Sequence, residues 1–356
     1  MIIGTVLALL KRAKYMKSVL KKYQSVLSPG RYRLFENFRS ACLNDAAALA
    51  EATKYFPVDK PNSARMRIAS VLNKSRYFSL RCPTSTGEYE AVYVANNFDA
   101  VRETKLFSFR QRKILTFCTG QEQMNKQLQE YDQLHHAYKM PSVVRNENFE
   151  NALDVAMIGR LDFPGNGCAL TAIAEATVSY NADTAVLSRK SVKELIAFSY
   201  GDEAMNTYLT GLAEDISEDV LSNSIPLCMQ HGDLSKDNLI YGESGGETAF
   251  WWIDWEHRKE RVFFYDYFFI IINSALYDDI GAFQCYICGE NDETLKTYFS
   301  HFGMKYDPNK RWDYFLAFAI AFLKERVCDL GHVGALIKYC DLIKRLKKHN
   351  EIGVFL

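Results

Sequence analysis

What this 356-residue chain lacks already narrows its class. It has no apolar run of bilayer length: the stretch before Lys11 is too short, and residues 314–323, apolar all round, are closed off by Asp313 and Lys324. The second run is therefore expected to be a buried core helix rather than a membrane span. A secretory signal is not expected, because the N-terminal apolar residues precede the basic ones, the reverse of a leader. Net charge is absent as well, with 43 Lys and Arg against 43 Asp and Glu, so no global field draws the chain to nucleic acid. Clustered cysteines are missing: nine are scattered, and only Cys285 and Cys288 form a C-x-x-C, without a second pair or a His cluster. That usage predicts reduced, mostly buried thiols and a cytoplasmic setting. No internal repeat or low-complexity tract stands out. Hydrophobic content of 48% with 24% charge is that of a folded globular chain, and the length allows two to three domains.

One local shortage is more pointed. No acid occurs before Glu36, while Lys11, Arg12, Lys14, Lys17, Lys21, Lys22, Arg31 and Arg33 make residues 1–35 strongly basic. Ile2, Ile3, Val6, Leu7, Leu9, Leu10, Ala13, Met16, Val19 and Leu20 fall close to helical spacing. A basic amphipathic helix is expected, either packed on the protein body or resting peripherally on an anionic membrane through residues 1–35. A transit peptide is the third alternative.

What is present is concentrated in one stretch. His231-Gly232-Asp233-Leu234-Ser235-Lys236-Asp237-Asn238 is followed by Trp251-Trp252-Ile253-Asp254-Trp255-Glu256. Asn238 lies five residues after Asp233, and Asp254 sixteen after Asn238. Phosphoryl transfer asks mainly for positioning and charge neutralisation. A hard cation such as Mg²⁺ wants oxygen ligands, and Asn238 offers a neutral one and Asp254 a charged one. Asp233 is left to accept the proton of an acceptor hydroxyl. Residues 239–241 and 249–253 read as two apolar strands, with Gly242, Gly245 and Gly246 supplying the turn between them. Such a hairpin returns the chain to its start and would bring Asn238 and Asp254 to one end. Asp266, a lone acid in Phe263-Phe264-Tyr265-Asp266-Tyr267-Phe268, follows twelve residues later.

These segments together resemble the aminoglycoside phosphotransferase and choline kinase superfamily, the small-molecule branch of the protein-kinase-like fold. The specific likeness covers residues 231–268 and a looser one about 76–345. The resemblance implies an α+β, bilobal fold with a small β-rich lobe and a larger helical lobe. It also implies that Asp233 is the catalytic Asp, that Asn238 and Asp254 hold Mg²⁺, and that His231 and Asp266 support the loop. ATP, with GTP possible, would be the donor. Protein kinases place a Lys two residues after the catalytic Asp; Ser235 stands there, with Lys236 one place later, favouring a small-molecule or saccharide hydroxyl over a protein side chain.

Pro57, Pro61, Asn62 and Ser63 mark a boundary. The domains are then a basic helical extension at 1–60, a nucleotide-binding β-rich lobe at 61–158, and a helical catalytic and acceptor-binding lobe at 159–356. Strands are expected at 77–82, 91–95, 104–109, 113–118, 143–144 and 153–158, and a helix at 121–138. Glu130 sits where the resemblance expects the helix's lysine-pairing Glu, and Ile158-Gly159-Arg160 reads as a hinge whose backbone would meet adenine. No glycine occurs between Gly87 and Gly120, so a phosphate-covering loop at 95–103 would be glycine-free. The phosphate-pairing lysine is expected near Thr116, which leaves Lys113, Lys105 or no lysine. Helices are expected at 186–198, 204–213, 266–276, 295–302, 312–328 and 333–348. Residues Glu256, His257, Arg258, Arg261, Asp278, Asp279, Glu325 and Arg326 are candidate liners of the acceptor site and carry both signs. Arg258 and His257 would suit an acidic or phosphorylated sugar, as in surface polysaccharide or lipid-linked glycan. The alternative is a kinase-like binding or scaffold protein that keeps the fold without catalysis.

Overall fold

A computed structural model describes residues 2–56, 64–75, 80–82, 87–95, 103–184, 187–197, 203–330 and 336–352. The expected boundary cluster at 57–63 and most of the expected phosphate-covering loop at 95–103 lie outside them. The chain divides into two compact units: residues 1–135, 140–161 and 242–249 in the first, and 136–139, 162–241 and 250–356 in the second.

In the first unit the order is α1 (Ile2–Lys22), β1 (Gly30–Leu34), β2 (Ser40–Leu43), α2 (Ala46–Tyr55), α3 (Ala64–Lys74), β3 (Leu80–Cys82), β4 (Ala91–Val94), β5 (Thr104–Ser108), β6 (Lys113–Phe117), α4 (Gln121–Leu134), β7 (Val143–Arg145), β8 (Ala152–Ala156) and β9 (Gly159–Arg160). Eight strands form one sheet in the order β3-β1-β2-β4-β5-β6-β8-β7. Within it, β4-β5-β6-β8-β7, with α4 between β6 and β7, is the five-strand-and-helix pattern expected of a kinase-like nucleotide lobe.

The N-terminal segment differs from expectation, for a clear physical reason. Residues 1–60 are not an extension beside the lobe, because β1 and β2 pair into its sheet at Tyr32↔Leu43 and Ser40↔Tyr93. The apolar stripe of α1 is spent there too. Leu9, Ala13, Met16, Val19 and Leu20 are buried in a cluster with Leu106, Leu115 and Val92 of the sheet, leaving Leu7 and Leu10 exposed. Of the homes expected for this helix, packing on the body is the one seen. No helix among the described residues is long and apolar enough to cross a membrane.

The second unit contains α5 (Asn166–Tyr180), β10 (Arg189–Ser191), α6 (Val192–Ile196), α7 (Glu203–Glu214), α8 (Glu218–Ser222), β11 (Ser224–Gln230), β12 (Leu239–Ser244), β13 (Glu247–Trp252), β14 (Lys259–Val262), α9 (Tyr265–Leu276), α10 (Gly281–Ile287), α11 (Asp292–His301), α12 (Arg311–Leu330) and α13 (Ile337–Ile352). The middle of the β12–β13 hairpin, residues 242–249, counts with the first unit. Its turn is Gly245-Gly246, both at positive φ (61° and 83°), which a side chain would disfavour. Gly242 lies in β12 rather than in the turn, where it pairs with Arg160. The helix expected over 186–198 is replaced by β10 and α6. Ser191 and Glu194 form a capping box that starts the helix only at Val192, and β10 pairs with β11. The apolar 314–323 run is the core helix expected: Phe315, Leu316, Phe318, Ile320 and Phe322 of α12 are fully buried.

Candidate active site

The loop after β11 is fixed from three sides, all within the second unit. Register pairing of β11 with β14 (Leu227↔Val262, Gln230↔Lys259) delivers His231 at the strand's end. From the first turn of α9, the fully buried Asp266 accepts the backbone N–H groups of His231 (2.6 Å) and Gly232 (2.8 Å). Burial drives the Asp266 carboxyl above its ordinary range, opposed by His231 and by those two N–H donors. Its own N–H is taken by Gln230 Oε1 at 3.0 Å, so the loop and α9 are tied in both directions.

His231 is the second anchor. It is fully buried, and its Nε2 lies 2.8 Å from the carbonyl of Ile253, so Nε2 carries the proton and donates. Its Nδ1 accepts the N–H of Asp233 at 3.3 Å. One neutral tautomer satisfies both contacts. The ring sits against Trp255 (4.7 Å between centroids) and Trp252 (6.3 Å), and Tyr138 closes on both tryptophans. This aromatic packing fixes the imidazole, and through it the segment that carries Asp254.

Arg261 is the third anchor. It is buried, forms a forked pair with Glu325 of α12 (Nη2–Oε1 2.7 Å, Nε–Oε2 3.0 Å), donates to the His257 carbonyl, and lies over the Tyr265 ring. Gly232 has φ +83°, and a Cβ there would fall 2.3 Å from Arg261 Nη1. A side chain at 232 would break both the turn and the fork.

So held, the loop places the expected groups. Asn238 Nδ2 donates to the Asp233 carbonyl at 2.8 Å, which orients its Oδ1 outward from that bond. The N–H of Ile253 donates to the Asn238 carbonyl at 3.0 Å, so the hairpin brings Asn238 beside the residue preceding Asp254. Asp254 adopts a left-handed conformation (φ 65°, ψ 62°) and opens a short 3-10 turn, Trp255–His257. That backbone state is uncommon outside glycine, and it occurs here at the expected metal-binding Asp. Burial raises the Asp233 carboxyl above its ordinary range, with Arg326 and His257 acting against the rise and Asp254 adding to it.

The mixed-sign acceptor candidates sort themselves. Arg261 and Lys259 (2.7 Å) both go to Glu325, Lys236 pairs with Asp279 (2.5 Å), Arg345 with Asp278 (3.6 Å), and His257 with Glu256 (3.4 Å). Arg326 is different: its ion-pair partner among the described residues is Asp233 itself, at a loose 3.7 Å. Its guanidinium lies over Phe269 and Phe322. In the sequence Arg326 is one charged candidate among eight; the packing of α12 is what sets it against Asp233.

In the first unit, the expected nucleotide-binding residues part company. Directly opposed residues share a face, so Tyr93, Lys105, Thr116 and Leu153 form one row, and Ala91, Phe107, Ile114 and Val155 the next row on that face. Lys113 has the opposite parity. It pairs with Glu88 (2.5 Å) and lies over Tyr89, on the α1 side, and so does not serve as Glu130's partner. Lys105 is on the face of Thr116 and pairs with half-buried Glu103 at 2.9 Å. Glu103 also accepts from Gln127 (2.7 Å) and Gln123 (3.1 Å) of α4, so this face and α4 adjoin. Glu130 is buried on α4, with Lys126 Nζ at 3.8 Å. The Ile158 carbonyl accepts the Tyr55 hydroxyl at 2.7 Å, and the Arg160 guanidinium lies 5.9 Å from the centre of the Tyr55 ring.

No family model matches the chain, and neither does any curated protein. Among solved structures it is similar to the GDP complex of aminoglycoside 2′-phosphotransferase-IIIa (15% identity, 74% of this chain and 94% of that one, TM-score 0.43). It is also similar to a choline/ethanolamine kinase family protein from Mesorhizobium loti (13%, 78% and 92%, 0.39). A third likeness is to a choline kinase from Streptococcus pneumoniae (11%, 73% and 93%, 0.38).

Proposed function

We propose that this chain is a phosphotransferase that moves the γ-phosphoryl group of ATP or GTP, with Mg²⁺, to a hydroxyl of a small molecule or saccharide. The observation that carries the reading is the loop itself. A buried carboxylate, a buried imidazole and a buried guanidinium fork are spent on holding one eight-residue turn, and the groups it presents are a carboxylate, an amide oxygen and, through the hairpin, a second carboxylate. Hard oxygen donors at Asn238 and Asp254 fit a small divalent cation, and these two residues would hold it. When bound, such a cation neutralises charge on the phosphates. Asp233 is the proton acceptor, and its raised carboxyl lies nearer a working pH than an ordinary Asp would. Its loose pairing with Arg326 leaves both groups able to meet an acceptor.

The charge sorting favours an acceptor that carries its own acid. Arg326 would bind that acid while Asp233 takes the hydroxyl proton, which suits an acidic or phosphorylated sugar of a surface polysaccharide or lipid-linked glycan. A second reading, a kinase-like binding or scaffold protein, is favoured by Lys113 lying on the wrong face and by the covered hinge carbonyl. The intact Asp233, Asn238 and Asp254 set opposes it.

The deciding experiment titrates MgATP and MgGTP to millimolar concentration and screens acceptors by ADP or GDP release. Asp233→Ala should abolish turnover and keep nucleotide binding; Asp254→Ala should remove the Mg²⁺ dependence of binding. Wild-type protein that binds nucleotide equally with and without Mg²⁺, or turns over undiminished after Asp233→Ala, would sink the reading.

A further inference from the structure

The face of the large sheet that carries Thr116 and Lys105 is not open. α2 lies on it, started by the Asp45 side chain capping the N–H groups of Ala47 and Ala48. Ala48, Ala52 and Phe56 are buried there with Phe35, Ala91, Phe107, Phe109 and Met157, and Tyr93 and Ile114 pack against the cluster. Two aromatic residues at the end of the helix reach furthest. Phe56 stacks on Tyr93 (6.2 Å, 6° between planes) and meets Phe107 edge-on (5.1 Å). Tyr55 lies against Phe107 and Phe109, with its hydroxyl on the Ile158 carbonyl. Burial raises the Tyr55 phenol above its ordinary range, so the hydroxyl stays a proton donor.

Parity identifies the face. It is the one bearing Thr116, where the phosphate-pairing lysine is expected, and the one adjoining α4 through Glu103, Gln123 and Gln127. A purine bound to it would lay its ring on the residues beside Thr116 and donate an exocyclic N–H to a hinge carbonyl. Tyr55 and Phe56 already do both. A flat ring covers the sheet, and a donor is spent on the carbonyl of Ile158.

We propose that α2 is an intramolecular occupant of the base-binding face, so that a purine nucleotide gains that face only as α2 leaves it. This rests on the phosphotransferase reading and adds to it a competition built into the fold. The apparent dissociation constant is the intrinsic one divided by the fraction of molecules whose face is open, so a helix seated about nine times in ten weakens binding about tenfold. Relieving it requires no new contact with nucleotide. The helix is short, and the largest side chains it lays on the sheet are the aromatic pair at its end.

The test compares MgATP and MgGTP affinity by calorimetry in the wild-type chain, Tyr55→Phe, Tyr55→Ala and Phe56→Ala, with melting curves confirming the fold. Tyr55→Ala should bind about tenfold tighter and Tyr55→Phe, which loses only the hydroxyl, about threefold. Amide hydrogen exchange over residues 46–56 should quicken when wild-type protein is saturated with nucleotide. Equal or weaker binding by folded Tyr55 variants, or exchange over 46–56 that slows or stays unchanged, overturns the role of α2 and leaves the phosphotransferase reading standing. Binding by none of the four proteins overturns both.

Discussion

Asp266 offers the sharpest test of how the loop is held, because a single buried carboxylate closes two backbone donors at once. Replacing it with Ala leaves the N–H groups of His231 and Gly232 without their acceptor in a site closed to solvent. Each orphaned buried donor costs about 1–3 kcal/mol, so a loss of about 3–4 kcal/mol is expected. The removed carboxylate carried its own burial cost, seen in its raised carboxyl, and that relief offsets part of the loss, which is why the upper end is not reached. Asp266→Asn keeps the shape but presents only one acceptor, with its NH₂ facing a second donor, and should cost about 2 kcal/mol. At about 2–4 °C per kcal/mol for a unit of this size, Asp266→Ala lowers the second unit's melting temperature by about 6–16 °C. Differential scanning calorimetry reads that shift, and amide exchange at Gly232 should accelerate in both variants. If Asp266→Asn melts with wild type and Gly232 stays protected, the carboxylate is not what braces the loop.

Three further outcomes follow from the same contacts. Arg326→Ala should raise KM for carboxylated or phosphorylated acceptors about tenfold and leave neutral acceptors unchanged; equal effects on both would remove the acid-bearing acceptor. Burial would raise the Glu325 carboxyl, but hydrogen bonds from Arg261 and Lys259 outweigh it and hold it below its ordinary value. Its contribution is therefore complete above the ordinary Glu range near pH 4.5 and lost as pH falls through the lower folded value, so Glu325→Gln should flatten the acid limb of a melting-temperature profile and cost about 3 kcal/mol at neutral pH. Deleting residues 1–22 strips the sheet of Leu9, Met16, Val19 and Leu20, each worth about 1.5–3 kcal/mol, an upper-bound loss comparable to a whole domain's stability. The truncated chain should be insoluble; soluble protein with an unchanged melting curve would show that α1 is dispensable to the fold.

The second unit's loop was legible in sequence because its information is short-range. Asp233, Asn238 and Asp254 are tied by a five-residue turn and one hairpin, and the turn glycines, the apolar strands and the lone Asp266 all lie within a few dozen residues. The bracing partners were not legible. Glu325 and Arg326 come from α12, more than sixty residues beyond Arg261, and no local pattern says which of eight charged candidates meets which. In the first unit, strand positions were found but faces were not. Lys113 stands three residues from Thr116, an odd step, and in a strand an odd step means the opposite side of the sheet. Residues 30–56 carry a local signal of their own: buried Tyr32 and Leu34 alternate with exposed Arg31 and Arg33, and Asp45 precedes an alanine-rich run as a helix cap. The basic charge around α1 drew attention to lipid, whereas burial of its apolar stripe decides where it sits.

The two units differ in how far they are prepared for chemistry. In the second, the groups that hold the loop are saturated, while those it presents are held by long or backbone-directed contacts that free their reactive oxygens. In the first, the groups that would contact a nucleotide are engaged within the chain. Lys105, across the strand from Thr116, could supply the positive charge that position lacks, but its ammonium is given to Glu103, whose carboxyl lies below its ordinary range because Lys105 and Gln127 overcome its burial. The hinge carbonyl is given to Tyr55. On the phosphotransferase reading, the phosphate and base positions would thus be covered by separate internal partners, one ionic and one aromatic. Salt distinguishes them: screening weakens the partly exposed Lys105–Glu103 pair and leaves the aromatic packing of α2 in place. Tighter nucleotide binding on loosening α2, at fixed ionic strength, therefore reports on the base position alone.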